Sequence, residues 1–211
     1  MSLILALALT ARIILGTSPA VELTNKGTQP ITAWSFAVVS PNAQGGTHRE
    51  THTADVYLAK VTRDLPRAPE HLDWLDPGKS MSVPVDTAPA GASVEIVAVV
   101  FADRTADGDA ATVQSFFDHR RAERDQLRAV SQAFDEVLQT HHGPAALHAL
   151  ESQLSGGDDS VPRRTARDAV AAYLAKAQNA SDDALDQQLR QYAAFVKKQY
   201  ALAATHAEPA R

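Results

Sequence analysis

Residues 92–103, ASVEIVAVVFAD, run through the acidic turn RTADGD (104–109) into AATVQSFF (110–117), where a helical pattern begins. The chain before this stretch reads as strands and the chain after it as helices. Side chains alternate faces along a strand, so Val94, Ile96, Ala98 and Val100 share one face while Val97, Val99 and Phe101 take the other. From Ile96 onward both faces are apolar, whereas an antiparallel strand facing water carries polar residues on one side. The second face therefore needs a cover, and the start of the following helix is the nearest candidate. Asp103, Asp107 and Asp109 crowd a turn around Gly108, but D-R-T-A-D-G-D lacks the order and the distal glutamate of an EF-hand loop. Asp109 reads instead as the helix N-cap, accepting the unpaired N–H groups of the first turn and favoured there by the helix dipole.

Upstream, residues 21–24 (VELT) and 31–39 (ITAWSFAVV) are β-branched and aromatic runs separated by NKGTQP. Asn25 and Gly27 are residue types that take the positive φ of a tight connection, so a hairpin is expected. Further breaks at 41–46, 65–69, 76–78 and 88–91 delimit strands near 55–62 and 79–85. Short strands in series without helices between them predict an antiparallel sandwich. VELTNKGTQPITAW is similar to the opening hairpin of bacterial immunoglobulin-like modules, in which a strand ending in N-x-G leads to a second strand with a core aromatic. Asp76-Pro77-Gly78 resembles a later turn of the same kind of module. The resemblance covers residues 1–103, departs from true immunoglobulin domains in lacking a cysteine pair, and implies a fold without active-site residues. Trp34, inside an apolar run, is expected in the core. DPGKS ends in the G-K-S of a phosphate loop, but Asp73 stands where that motif needs its first glycine.

The polar stretch 45–55, GGTHRETHTAD, is expected to be an exposed loop at a sheet edge. His48, Glu50, His52 and Asp55 within it are ligand types that a zinc or other divalent site uses, and they form the candidate metal set. Their order is not the H-E-x-x-H of a helical zinc site.

Downstream, no proline or glycine interrupts residues 110–142. Val113, Phe116 and Phe117 form one apolar cluster, and Leu127, Val130, Phe134, Val137 and Leu138 form a helical stripe further on. Between them residues 118–126 (DHRRAERDQ) are expected to be an exposed neck, with Arg120, Arg124 and Arg128 on a solvated face. Gly143 is expected to cap the long helix and Pro144 to open the next. Three shorter helices follow, with stripes on Leu147, Leu150 and Leu154, then Ala166, Val170 and Tyr173, then Leu185, Leu189, Tyr192 and Val196. The tail after Thr205 is expected to fray.

The fold class expected is α+β: an N-terminal antiparallel immunoglobulin-like sandwich, then a helical region led by one long helix. The expected domains are 1–117, including the covering start of that helix, and 118–211. Residues 1–108 carry 8 basic and 11 acidic side chains and residues 109–211 carry 12 and 14, so neither half has the basic excess that nucleic-acid binding needs. The absence of cysteine removes disulfides, thiolate metal sites and a thiol nucleophile. Arg12 interrupts the N-terminal apolar run short of a membrane span. Alternating Leu3, Leu5, Leu7 and Leu9 suit a strand, with a truncated signal segment over 1–10 as the other reading, so the compartment stays open. No catalytic or cofactor-binding pattern is present. The expected function is a non-catalytic binding or scaffold protein that docks a protein partner or associates with itself through its helices. The alternative is a metal-dependent hydrolase using His48, Glu50, His52 and Asp55.

Overall fold

The computed structural model describes residues 8–16, 18–42, 45–62, 73–157 and 159–210. Its fold class is α+β, with two antiparallel sheets followed by a helical region that one long helix leads. The chain divides into two compact units, residues 1–118 with 208–211, and residues 119–207.

In the first unit, β1 (Leu9–Ile14), β2 (Ala20–Asn25) and β5 (Ser80–Pro84) form one sheet in the order β1-β2-β5. The other sheet has the order β4-β3-β6-β7, from β3 (Ile31–Pro41), β4 (Thr47–Asp55), β6 (Ser93–Phe101) and β7 (Ala106–Gly108). Alternation places Val21 and Leu23 of β2 inward, where they meet Trp34, Phe36 and Val38 of β3 in a shared core. The outer face of the three-stranded sheet is polar, with Arg12 directly opposite Glu22 and its Nε 2.6 Å from the carboxylate.

β3 is buried on both faces. Its second face carries small residues, and Ala33 packs with Ala98 and Val100 under Phe116 and Phe117 of α2 (Ala110–Thr140). Each buried phenylalanine contributes ~1.5–3 kcal/mol of apolar burial. Asp109 caps this helix as expected, its Oδ2 accepting the Thr112 N–H at 2.9 Å. That bond, reinforced by the Thr112 hydroxyl, holds the Asp109 carboxyl below its ordinary pKa.

Three expectations change in the first unit. The 21–39 hairpin is not one: β2 and β3 lie in different sheets, because both edges of β2 are already paired, by β1 and β5. Asn25, fully buried, holds this crossing; its Nδ2 donates to the Gln29 and Leu75 carbonyls at 2.8 Å, and its Oδ1 accepts the Gly27 N–H at 2.9 Å. The loop expected over 45–55 is mostly strand β4, while the strand expected over 55–62 is a turn and one helical turn, α1 (Ala59–Thr62). The two faces of β6 also exchange partway along. Ser35 pairs with Ala98 but Phe36 pairs with Ile96, so Val97 is a bulge. Val94 and Ile96 consequently join Val99 and Phe101 on the core side, leaving Ala98 and Val100 to the helix. The expectations for Leu3, Leu5 and Leu7 and for the break at 65–69 lie outside the described residues; Leu9 opens β1 and is buried.

The second unit holds the rest of α2 with α3 (Gly143–Ser155), α4 (Val161–Ala177) and α5 (Asp182–His206); α3 packs on α4 and α5, and α2 meets α3 through Glu136 with Gln153 and α5 through Phe134 with Tyr192. Leu127, Val130, Phe134 and Val137 are buried as the stripe predicts, as are Leu147, Leu150, Leu154, Leu185, Leu189 and Val196. The neck is not uniformly exposed, for Arg120 is fully buried and Arg124 half-buried; Arg128 is exposed as expected, and Arg124 and Arg128 pair with Asp125. Nor does the tail fray at Thr205. Ala203 and Ala207 are fully buried, and the Ala210 N–H donates to the Arg104 carbonyl at 3.0 Å.

Candidate functional site

The polar stretch 45–55 supplies the most distinctive surface of the first unit, as a strand edge. Alternating threonines suit the extended backbone, since β-branched side chains are at ease on a pleated surface. β4 spans nine residues. Its pairing with β3 runs from Ala33↔Asp55 to Pro41↔Thr47 without a register shift.

Two bonds fix the phase of this ladder. The Asn42 N–H donates to the Gly46 carbonyl at 2.9 Å and the Val56 N–H to the Thr32 carbonyl at 2.8 Å. Both link even-numbered residues, and in an antiparallel ladder opposed residues either exchange both bonds or neither. The even residues of β4 therefore bond to β3, and the backbone N–H and C=O groups of Arg49, Thr51 and Thr53 point away from the sheet. No strand pairs with that edge among the described residues.

The even side chains face the inter-sheet side. His52 stacks on Phe36 with ring centroids 5.0 Å apart and planes at 16°. Its Nε2 lies 2.9 Å from Glu50 Oε1. The odd side chains face the other way, where the Thr53 hydroxyl meets that of Ser35 at 3.0 Å and Arg49 pairs with Glu95. Beside the edge, a cavity of about 410 Å³ opens between the two sheets, lined by Trp34, His52 and Ala54 on one side and Met81, Val83 and Pro84 on the other. Trp34 itself is core, with only its border reaching this cleft.

Of the four candidate metal ligands, the structure brings Glu50 and His52 together. His48 continues their face at the exposed end of the strand, and Asp55 lies on the opposite face, its Oδ1 accepting the Tyr57 N–H at 3.4 Å. Among the described residues no group of three or more His, Cys, Asp or Glu is placed to hold a metal ion.

The second unit carries one polar constellation that sequence spacing does not reveal. Asp186 Oδ1 accepts the Gly143 N–H at 2.7 Å, while Oδ2 lies 2.8 Å from His142 Nδ1. The backbone bond, then the histidine, hold the Asp186 carboxyl below its usual range. Gly143 is thus not the cap of α2; with φ at +53° it opens α3, close against Asp182. Nearby in the fold, Tyr192 tilts against Phe134 and Phe195, and burial pushes its phenol above the usual range. No helix among the described residues is long and apolar enough to cross a membrane. Compared with protein-family models, with curated proteins and with solved structures, the chain matches none.

Proposed function

We propose that this protein is a non-catalytic binding module, an immunoglobulin-like sandwich with a helical appendage that docks a protein partner along β4. The strand order supports the immunoglobulin-like part: β1-β2-β5 and β4-β3-β6-β7 correspond to A-B-E and C′-C-F-G when strands are lettered along the chain. The observation that carries the docking is the β4 edge, nine residues in unbroken register with outward hydrogen-bonding groups at Arg49, Thr51 and Thr53. An extended segment adds to such an edge as a further strand, the backbone giving affinity and the adjoining cleft giving side-chain selectivity.

Selection of random extended peptides on the full chain tests this. Thr51→Pro is the diagnostic variant, because the N–H it removes points off the sheet and the β3–β4 ladder survives. Peptides binding at or below about 100 μM that weaken at least about tenfold on Thr51→Pro support the reading. A monomeric chain that yields no binder, or only binders indifferent to the substitution, overturns it.

A further inference from the structure

Among the described residues the two sheets have four edge strands, and they differ in what they offer. β7 has three residues and β5 has five, ending in Pro84. β1 has six. β4 alone is long, and its ladder contains no bulge, proline or lysine, the devices by which natural edges are kept from pairing. What β4 carries is charge of both signs, arranged in a pattern that matters when the strand is read against itself.

We infer that the occupant of the β4 edge is the β4 of a second copy of this chain, paired antiparallel about a two-fold axis through Thr51. The inference rests on the reading of β4 as a docking edge and names what docks. Such an axis must pass through a residue, since opposed side chains have to lie on the same face. With the axis at Thr51, Glu50 of each copy stands opposite His52 of the other, and all nine residues are paired, Thr47 with Asp55 at the ends. The ladder phase agrees. Arg49, Thr51 and Thr53 supply the outward groups, giving about six backbone hydrogen bonds, while Glu50 and His52 fall at the non-hydrogen-bonded positions where opposed side chains approach most closely. Glu50 and His52 already lie 2.9 Å apart within one copy, so pairing draws two such couples into one cluster.

Neighbouring registers fare worse. An axis at Glu50 sets glutamate against glutamate, and one at Arg49 sets arginine against arginine and shortens the overlap. An axis at His52 opposes two histidines and offers Arg49 to Asp55, but Arg49 is engaged with Glu95. Like charges directly opposed destabilise a ladder, so Thr51 is the register that combines the fullest overlap with no like charges opposed.

The test is sedimentation equilibrium of the full chain over a range of concentrations. A reversible dimer is expected, and Thr51→Pro should raise its dissociation constant at least about tenfold. Glu50→His and His52→Glu should each weaken the dimer, the first by opposing histidines and the second by opposing glutamates. The double variant with both substitutions restores glutamate opposite histidine and should recover association, an outcome that a general loss of folding cannot produce. Circular dichroism of each variant checks that the sandwich is intact. A chain monomeric up to about 1 mM, or a dimer that ignores Thr51→Pro, overturns the inference. So does a double variant no better than the single ones while folded. Peptide binding at β4 by a monomeric chain would sink the self-pairing and leave the docking edge standing, whereas a dimer indifferent to Thr51→Pro together with no peptide binding would remove both.

Discussion

Replacing Gly108 with alanine tests whether β7 is locked onto the bulge at Val97. Gly108 has a φ of +119°, and a Cβ built on it would lie 2.2 Å from the Val97 carbonyl oxygen and 2.6 Å from Ala98 Cα. These are backbone atoms, so no rotamer change makes room and β7 must move off β6. The adjoining Asp109 N–H, which donates to the Val97 carbonyl at 2.9 Å, would be strained with it. Positive-φ strain costs ~1–3 kcal/mol, and overpacking adds another ~1–3 kcal/mol. Gly108→Ala should therefore destabilise the first unit by ~2–6 kcal/mol. Gly78→Ala separates the two contributions, because Gly78 has a φ of +74° with nothing within 4 Å, leaving only the conformational cost of ~1–2 kcal/mol. Both tryptophans, Trp34 and Trp74, lie in the first unit, so their fluorescence during urea unfolding follows that unit rather than the helices. A Gly108→Ala protein no less stable than Gly78→Ala would refute the lock.

Phe117→Ala should cost ~3–5 kcal/mol and expose the outer face of the four-stranded sheet, read by the same fluorescence and by dye binding. Asn25→Ala leaves the Gln29 carbonyl without its donor, while the Leu75 carbonyl keeps the Ile31 N–H; a loss of ~1–3 kcal/mol in urea unfolding is expected. For Asp186 the folded pKa is depressed, so its contribution to stability is present above the unfolded value of about 4 and is lost as pH falls through the folded one. Asp186→Asn should flatten that acid-side slope in the helical circular dichroism signal, and an unchanged slope would show that the tie to Gly143 and His142 is irrelevant to stability. Elemental mass spectrometry of protein purified without a histidine tag is expected to find no stoichiometric divalent metal; one metal per chain, lost in the His48→Ala, His52→Ala double variant, would favour the hydrolase alternative.

What could be read from the sequence was governed by periodicity. Two-faced apolarity from Ile96 to Phe101 announced a covered strand, and Phe116 and Phe117 proved to be the cover, because burial patterns survive whatever the exact register. The assignment of faces failed because a bulge adds one residue to a period of two, and nothing in VEIVAVVF distinguishes Val97 from its neighbours. Local turn chemistry misled at Asn25. Its side chain holds a crossing between sheets as readily as a tight hairpin, and the deciding partner, Leu75, is fifty residues away. The stretch 45–55 was singled out for its ligand types, yet its polarity concealed a strand. A polar edge strand has no apolar face for sequence periodicity to detect, and only the alternation of Thr47, Thr51 and Thr53 hinted at extended backbone. Asp186 was invisible for the same reason as Leu75, since its partners His142 and Gly143 lie on another helix.

The faces of the two sheets are accounted for before any partner is considered. One outer face is polar, with Arg12 and Glu22 satisfying each other, and the other is covered by Phe116 and Phe117. Among the described residues the sheets leave unpaired backbone at their edges, and β4 offers the longest regular one. This arrangement separates two kinds of phenotype. Substitutions at Phe36, Phe117 or Gly108 alter packing and should lower stability whether or not the chain associates. Removal of the Thr51 N–H touches no bond within the sheet, so it should change association while the urea midpoint, measured at a concentration where the chain is monomeric, stays within about 0.5 kcal/mol of the parent. A Thr51→Pro chain that loses several times that amount as a monomer would mean that the edge of β4 is already bonded within the chain, and the surface on which docking depends would not exist.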